Sequence, residues 1–238
     1  MTELPPWDTL LILAQEGQGQ VERAAAGLDS AWLRQPSRLP DWSRGHILTH
    51  LARNAEGLTN LLTWARTGEE SRMYSSPTAR EDGIAAGAHR ELPEQLADLA
   101  ASGSAFLRAA DAVPQARRSF PVLSAQGRQI PASQVPWLRV REVWLHLVDL
   151  DAGYDVDVVP ESVAWALTED VAGWMTPRTE ATVDLRVDGR GTVRLGSGAA
   201  ASAVIEASAH RMAGWLTGRS GPAGLTITGE VPDLPPWL

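Results

Sequence analysis

The sequence predicts an α+β protein of two domains, a four-helix bundle over residues 1–153 and a small α+β domain over residues 154–238. Three features carry that reading. Four long stretches before Gly153 repeat their apolar residues with a helical period. Beyond Gly153 the period falls to two in several short runs. Between two of those runs stands Asp188-Gly189-Arg190-Gly191, and Asp-Gly between alternating segments is a strong hairpin signal. The 238 residues suffice for one large or two smaller domains, and a hydrophobic content of 44% supplies a core.

Taken in order, Thr9 to Leu28 has helical spacing, with Leu10, Leu13, Val21 and Ala24 on one side. Residues 36–40 form a connector. Asp41 reads as the N-cap of a second helix that runs to about Thr67, where Gly68 stops it. Its apolar stripe is Leu48, Leu51, Ala55, Leu58 and Leu62; His46, His50 and Asn54 form a polar row beside it. A loop over 71–77 leads to a short helical piece over 78–88. The next helix spans 91–110, with Pro93 in its first turn, where proline is tolerated. Residues 119–130 read as a short hairpin around Ala125-Gln126-Gly127-Arg128. Ser133 is the expected cap of the helix that follows, which ends near Gly153. In the second domain, a helix over 161–175 precedes strands at 182–187, 192–195 and 203–207. A helix over 208–216 and a last strand over 225–229 complete it. Four amphipathic helices bury their stripes most simply as a bundle, and bundles build metal sites from facing side chains.

The balance of charge is acidic, −8 overall, which disfavours nucleic acid and anionic membrane as partners. All 21 basic residues are arginine. The absence of cysteine excludes disulfides, zinc–thiolate sites and a protein thiol nucleophile, so any thiol chemistry needs an external thiol. The first residues lack the basic segment and apolar run of a signal peptide, and the apolar run from Leu10 to Ala14 is too short to span a bilayer. The expectation is a soluble cytoplasmic protein.

The chemistry concentrates between Leu138 and Asp149. Glu142 and His146 are four residues apart on one helix and therefore share a face, together with Leu138, Leu145 and Asp149. A carboxylate buried among apolar neighbours is costly unless paired, and a metal ion removes that cost by taking both groups as ligands. Without a metal, the same two residues make an ordinary buried hydrogen-bonded pair. A third ligand has to come from elsewhere. Of the other histidines, His46 and His50 have the register to face a bundle core, and His50 lies deeper along its apolar stripe. Two histidines and one carboxylate with an open position suit a catalytic zinc and also non-haem iron(II). His46 and Asn54 read either as supports of the ligands or as polar bundle residues. Arg219, in Leu216-Thr217-Gly218-Arg219-Ser220-Gly221, is favoured by the dipole at a helix C-terminus; the alternative is a guanidinium presented to a carboxylate. The ten tryptophans read as core, with one or two lining a pocket.

Several segments then point one way. Leu39 to Asn54, Trp64 to Glu70 with Met73-Tyr74, and Ala125 to Arg128 followed by Pro131 to His146 resemble the mycothiol-dependent maleylpyruvate isomerases. These belong to the DinB-like metal-binding bundle superfamily. The tail, Gly229 to Pro232 with Pro235 to Leu238, is similar too. The likeness runs through the chain in order and is thinnest over 176–202. It implies a DinB-like bundle joined to a C-terminal α+β domain of sterol-carrier-like fold. The family's metal triad falls on His50, Glu142 and His146, and its cleft arginine on Arg219 as a catalytic residue.

The implied activity is cis–trans isomerisation of maleylpyruvate to fumarylpyruvate in gentisate degradation, with zinc and mycothiol as cofactors. Zinc-assisted thiolate addition, bond rotation and elimination is the implied route. A small dicarboxylate and a low-molecular-weight thiol are the implied partners; the oligomeric state stays open, a monomer being compatible. A mycothiol S-transferase or thiol-exchange enzyme acting on another electrophile is the alternative on the same scaffold. A non-catalytic metal-containing binding module is the alternative from another class.

Overall fold

The computed structural model describes residues 4–230 and 233–237; the readings made at residues 1–3, 231, 232 and 238 lie outside them. The chain falls into two compact units that divide between Gly153 and Tyr154.

The first unit holds α1 (Trp7–Ala25), α2 (Ser30–Leu33), α3 (Arg44–Thr67), α4 (Ala79–Gly87), α5 (Leu92–Asp111), the strands β1 (Pro121–Leu123) and β2 (Gln129–Pro131), and α6 (Val135–Asp149). The four long helices close a ring in which α1 and α3 each pack on both α5 and α6. The sequence dictates this through its stripes. On α1 the buried positions Trp7, Leu10, Leu13, Ala14, Val21 and Ala25 recur at three and four residues. On α3 they run from Ile47 through Leu51, Ala55, Leu58 and Leu62 to Ala65. Fully burying one such leucine contributes roughly 1.5–3 kcal/mol. Gly17 lets α1 approach α6: a Cβ there would lie 2.4 Å from Val143 Cγ2 and 3.0 Å from Trp144 Nε1. Trp144 Nε1 in turn donates to the Leu13 carbonyl at 3.0 Å.

Two caps differ from expectation. Asp41 sits in the left-handed region at φ 63°, a conformation short polar side chains tolerate, and takes part in the turn before the helix. Ser43 is the true N-cap of α3: its backbone N–H donates to His46 Nδ1 at 3.2 Å, with its hydroxyl 2.7 Å from the same nitrogen. Ser133 lies in a single 3₁₀ turn over Ala132–Gln134, so α6 begins at Val135, after Gln134. The first helix also ends earlier than its periodicity suggested, at Ala25, and Asp29 caps the short α2 by accepting from Trp32 N–H at 2.8 Å.

One buried cation ties three helices together. Arg139 of α6 is 1% exposed. Its guanidinium donates to the Leu51 carbonyl at 2.7 Å, to Asn54 Oδ1 at 3.0 Å and to Gln18 Oε1. These bonds span α3, α6 and α1, so they fix the register in which α6 faces α3.

The second unit holds α7 (Glu161–Met175), β3 (Val183–Val187), β4 (Gly191–Leu195), β5 (Ala203–Ala207), α8 (Ala209–Leu216) and β6 (Thr226–Gly229). The sheet order is β4-β3-β5-β6. The hairpin read at Asp188-Gly189 joins β3 to β4 antiparallel, with Asp184 opposite Arg194 in an ion pair at 2.7 Å. β5 then lies parallel to β3 on its other side, and β6 runs antiparallel to β5. Helices α7 and α8 pack on each other.

Candidate metal centre

Three side chains from two helices meet in the bundle. His50 projects from the second turn of α3, and Glu142 and His146 from one face of α6. His50 Nε2 lies 2.8 Å from Glu142 Oε2, and His146 Nε2 lies 3.3 Å from the same oxygen. The two imidazole rings are 4.7 Å apart and nearly perpendicular. One ligand atom from each residue falls within 4.8 Å of the others, so all three can reach a common point. The cluster is closed at His50, whose side chain is 5% exposed, and more open at Glu142, at 23%. It therefore has a side from which a small molecule can approach.

The hydrogen bonds assign the protons. His146 Nδ1 lies 2.9 Å from Asp149 Oδ2, and Asp149 is 1% exposed. A carboxylate at each ring nitrogen favours the imidazolium form of His146. Burial works against that charge, but the Asp149 and Glu142 hydrogen bonds outweigh it and raise the His146 pKa above the usual imidazole value. Burial would raise Glu142; the hydrogen bonds from His146 and His50 overcome it and hold the carboxyl well below its usual range. His50 goes the other way. Burial, with the neighbouring His146 charge, pushes its pKa down to about 4 despite the Glu142 hydrogen bond, so it is neutral. Its Nδ1 faces Arg80 Nη2 at 3.4 Å, which places the single ring proton on Nε2, toward Glu142.

This donor set fits a divalent metal. Two imidazole nitrogens and one carboxylate oxygen with an accessible side is a catalytic zinc arrangement. A ligand histidine that gives its other N–H to a buried carboxylate is the usual second layer of support. As ligands, His50 and His146 would each present Nε2, with the His146 Nδ1–H directed to Asp149.

Of the residues read from sequence, the structure brings His50, Glu142 and His146 together. It gives His46 to the cap of α3, where burial and the nearby His89 lower its pKa, and gives Asn54 to Arg139. Arg219 lies in the second unit, just past α8, where its guanidinium donates to the Thr217 carbonyl at 2.7 Å and stands 5.9 Å from the Trp237 ring. That is the dipole-favoured position at a helix C-terminus. Sequence reasoning put Asp149 on the ligand face but missed its role; the His146-x-x-Asp149 spacing was the available signal. It gave no sign of Arg80, or of Trp42 as the wall beside His50, their ring centroids 5.4 Å apart.

Fold and donor set define a class: a helical-bundle protein that gathers two histidines and a glutamate as an open candidate metal centre. Residues 14–151 match the family model described as the mycothiol maleylpyruvate isomerase N-terminal domain. The chain belongs to that family. Among solved structures it is similar to the crystal structure of a mycothiol-dependent maleylpyruvate isomerase at 33% identity, and to that of a histidine-to-alanine mutant at 32%. Each likeness covers 98% of both chains with a TM-score of 0.88. No curated protein matches the chain.

Proposed function

We propose that this protein is a mycothiol-dependent maleylpyruvate isomerase that turns the cis alkene of maleylpyruvate into the trans alkene of fumarylpyruvate. Its place would be gentisate degradation in the cytoplasm; among the described residues no helix is long and apolar enough to cross a membrane. The observation that carries the reading is the meeting of His50, Glu142 and His146 around one point, in a chain similar along 98% of its length to such an isomerase.

His50, Glu142 and His146 would hold the metal, which we take to be zinc. When bound, the ion supplies a Lewis-acid position that deprotonates a thiol, so that the thiolate of mycothiol can add to the cis double bond, allow rotation about the resulting single bond and leave as the trans alkene forms. The chain's own groups prepare that position. Glu142 brings the negative charge and His50 arrives neutral, so neither needs to lose a proton first. Asp149 fixes the His146 ring with Nε2 toward the centre. Trp42 walls the site beside His50 and limits water there. Arg219 is proposed as the cation for a substrate carboxylate or for the negative charge that develops on the ketone oxygen.

The test is zinc content and mycothiol-dependent turnover of maleylpyruvate by the full chain and by His146→Ala. Loss of both in the variant supports the reading; full zinc with normal turnover rejects the ligand set. Failure of wild type on maleylpyruvate, with mycothiol consumed by another electrophile, would transfer the centre to an S-transferase.

A further inference from the structure

The geometry points to a carboxylate-binding subsite made by Arg80 and Tyr74 beside the His50–Glu142–His146 cluster, which grips one end of the dicarboxylate substrate. This rests on the isomerase reading and goes beyond it, since neither residue is a ligand of the cluster.

Arg80 stands on the first turn of α4 and reaches back toward α3. Its Nη2 is 3.4 Å from His50 Nδ1, and its guanidinium carbon is 5.8 Å from the Trp42 ring. Tyr74 lies nearby, where the charges of both Arg80 and Glu142 act on its hydroxyl. A guanidinium in this place would be repelled by a dication held at the centre. The repulsion is relieved when an anion lies between them.

The arms of Arg80 are only provisionally engaged. Nη1 pairs at 3.1 Å with Glu81, whose side chain is 63% exposed, while that of Arg80 is 34% exposed. An exposed carboxylate on the neighbouring residue is a weak holder, readily exchanged for a ligand carboxylate. Nη2 faces His50 Nδ1 at 3.4 Å, long for a hydrogen bond, so that arm is held loosely as well. Both arms of this planar fork can therefore turn to a ligand. Two parallel N–H groups match a carboxylate, and the Tyr74 hydroxyl adds a third donor from the side. Burial raises the Tyr74 pKa, which keeps that hydroxyl protonated and able to donate.

The proposal is tested by calorimetric binding of succinate, a dicarboxylate with no double bond to isomerise, to the zinc-loaded full chain. Arg80→Met is expected to keep its zinc and weaken succinate binding about tenfold or more; Arg80→Lys, which keeps the charge but not the fork, recovers part of that loss. Tyr74→Phe gives a smaller loss. Glu81→Gln removes the competing carboxylate and tightens binding about two- to threefold, and the tightening vanishes in the Arg80→Met background. A purely structural Arg80 would not produce that dependence. With maleylpyruvate, Arg80→Met raises KM about tenfold and changes kcat less.

Wild-type succinate affinity in zinc-replete Arg80→Met overturns the subsite. So does loss of zinc from both Arg80 variants, which would make Arg80 a prop for His50. If wild type does not isomerise maleylpyruvate but its succinate binding still depends on Arg80, the isomerase reading falls and the subsite stands. If wild type isomerises and Arg80→Met has an unchanged KM, the subsite alone falls.

Discussion

Replacing Asp149 by Asn tests how much of the candidate centre is built behind its ligands. The substitution keeps size and an acceptor oxygen but removes the charge facing His146 Nδ1 at 2.9 Å, at a position 1% exposed. A hydrogen bond to a charged group contributes about 1.5–3 kcal/mol and a neutral one about 0.5–1.5, so the exchange costs roughly 1–2 kcal/mol. At about 1.4 kcal/mol per decade this is a loss of zinc affinity of some 5- to 30-fold, near the range of about 10- to 100-fold for such supporting groups. The loss should depend on pH. Asp149 also raises the His146 pKa, so it helps a proton compete with the metal. Above the raised His146 pKa little proton competes and the full deficit shows; below it the variant's weaker proton affinity offsets part of it. Zinc titration of both proteins against a chromophoric chelator above and below that pKa measures this. Equal affinities at both, with unchanged circular dichroism, would refute the orienting role.

Two further outcomes follow from the same groups. In metal-free protein, His50 titrates at about 4 against 6.5 in an unfolded chain. The unfolded state therefore takes up a proton that the native state refuses as pH falls from about 6.5 to 4, and stability drops by roughly 3 kcal/mol over that window. Glu142, held below its usual pKa, adds to the loss at the acid end. His146, held above its own, acts oppositely: its contribution is complete below about pH 6.5 and is lost as pH rises through the raised value. Urea unfolding of chelator-treated protein should thus weaken toward pH 4, with a shallower slope in His50→Gln; equal slopes would show that His50 is not the cause. Separately, Arg139→Met leaves the Leu51 carbonyl, Asn54 and Gln18 without their donor and should destabilise by about 2–4 kcal/mol, partly offset because no charge is then buried. A midpoint shift worth less than about 0.5 kcal/mol would make that network dispensable.

The chain by itself determined whatever depends on near neighbours. A period of 3.6 residues placed the four long helices, Asp188-Gly189 placed the β3–β4 hairpin, and an interval of four residues put Glu142 and His146 on one face. Local backbone geometry favours these without reference to any distant contact. Where local signals compete, the sequence does not decide: Asp41 looks like a cap as much as Ser43 does, and the turn closed by the Ser37 N–H on the Trp42 carbonyl at 2.9 Å puts Asp41 outside the helix. Tertiary packing decided the rest. His50 reaches Glu142 across 92 residues because Arg139 and the stripes of α3 and α6 fix one register between helices that no spacing relates. The parallel pairing of β3 with β5 is equally non-local. So is the approach of Arg80 to His50 across 30 residues, set by where the short α4 rests on α3.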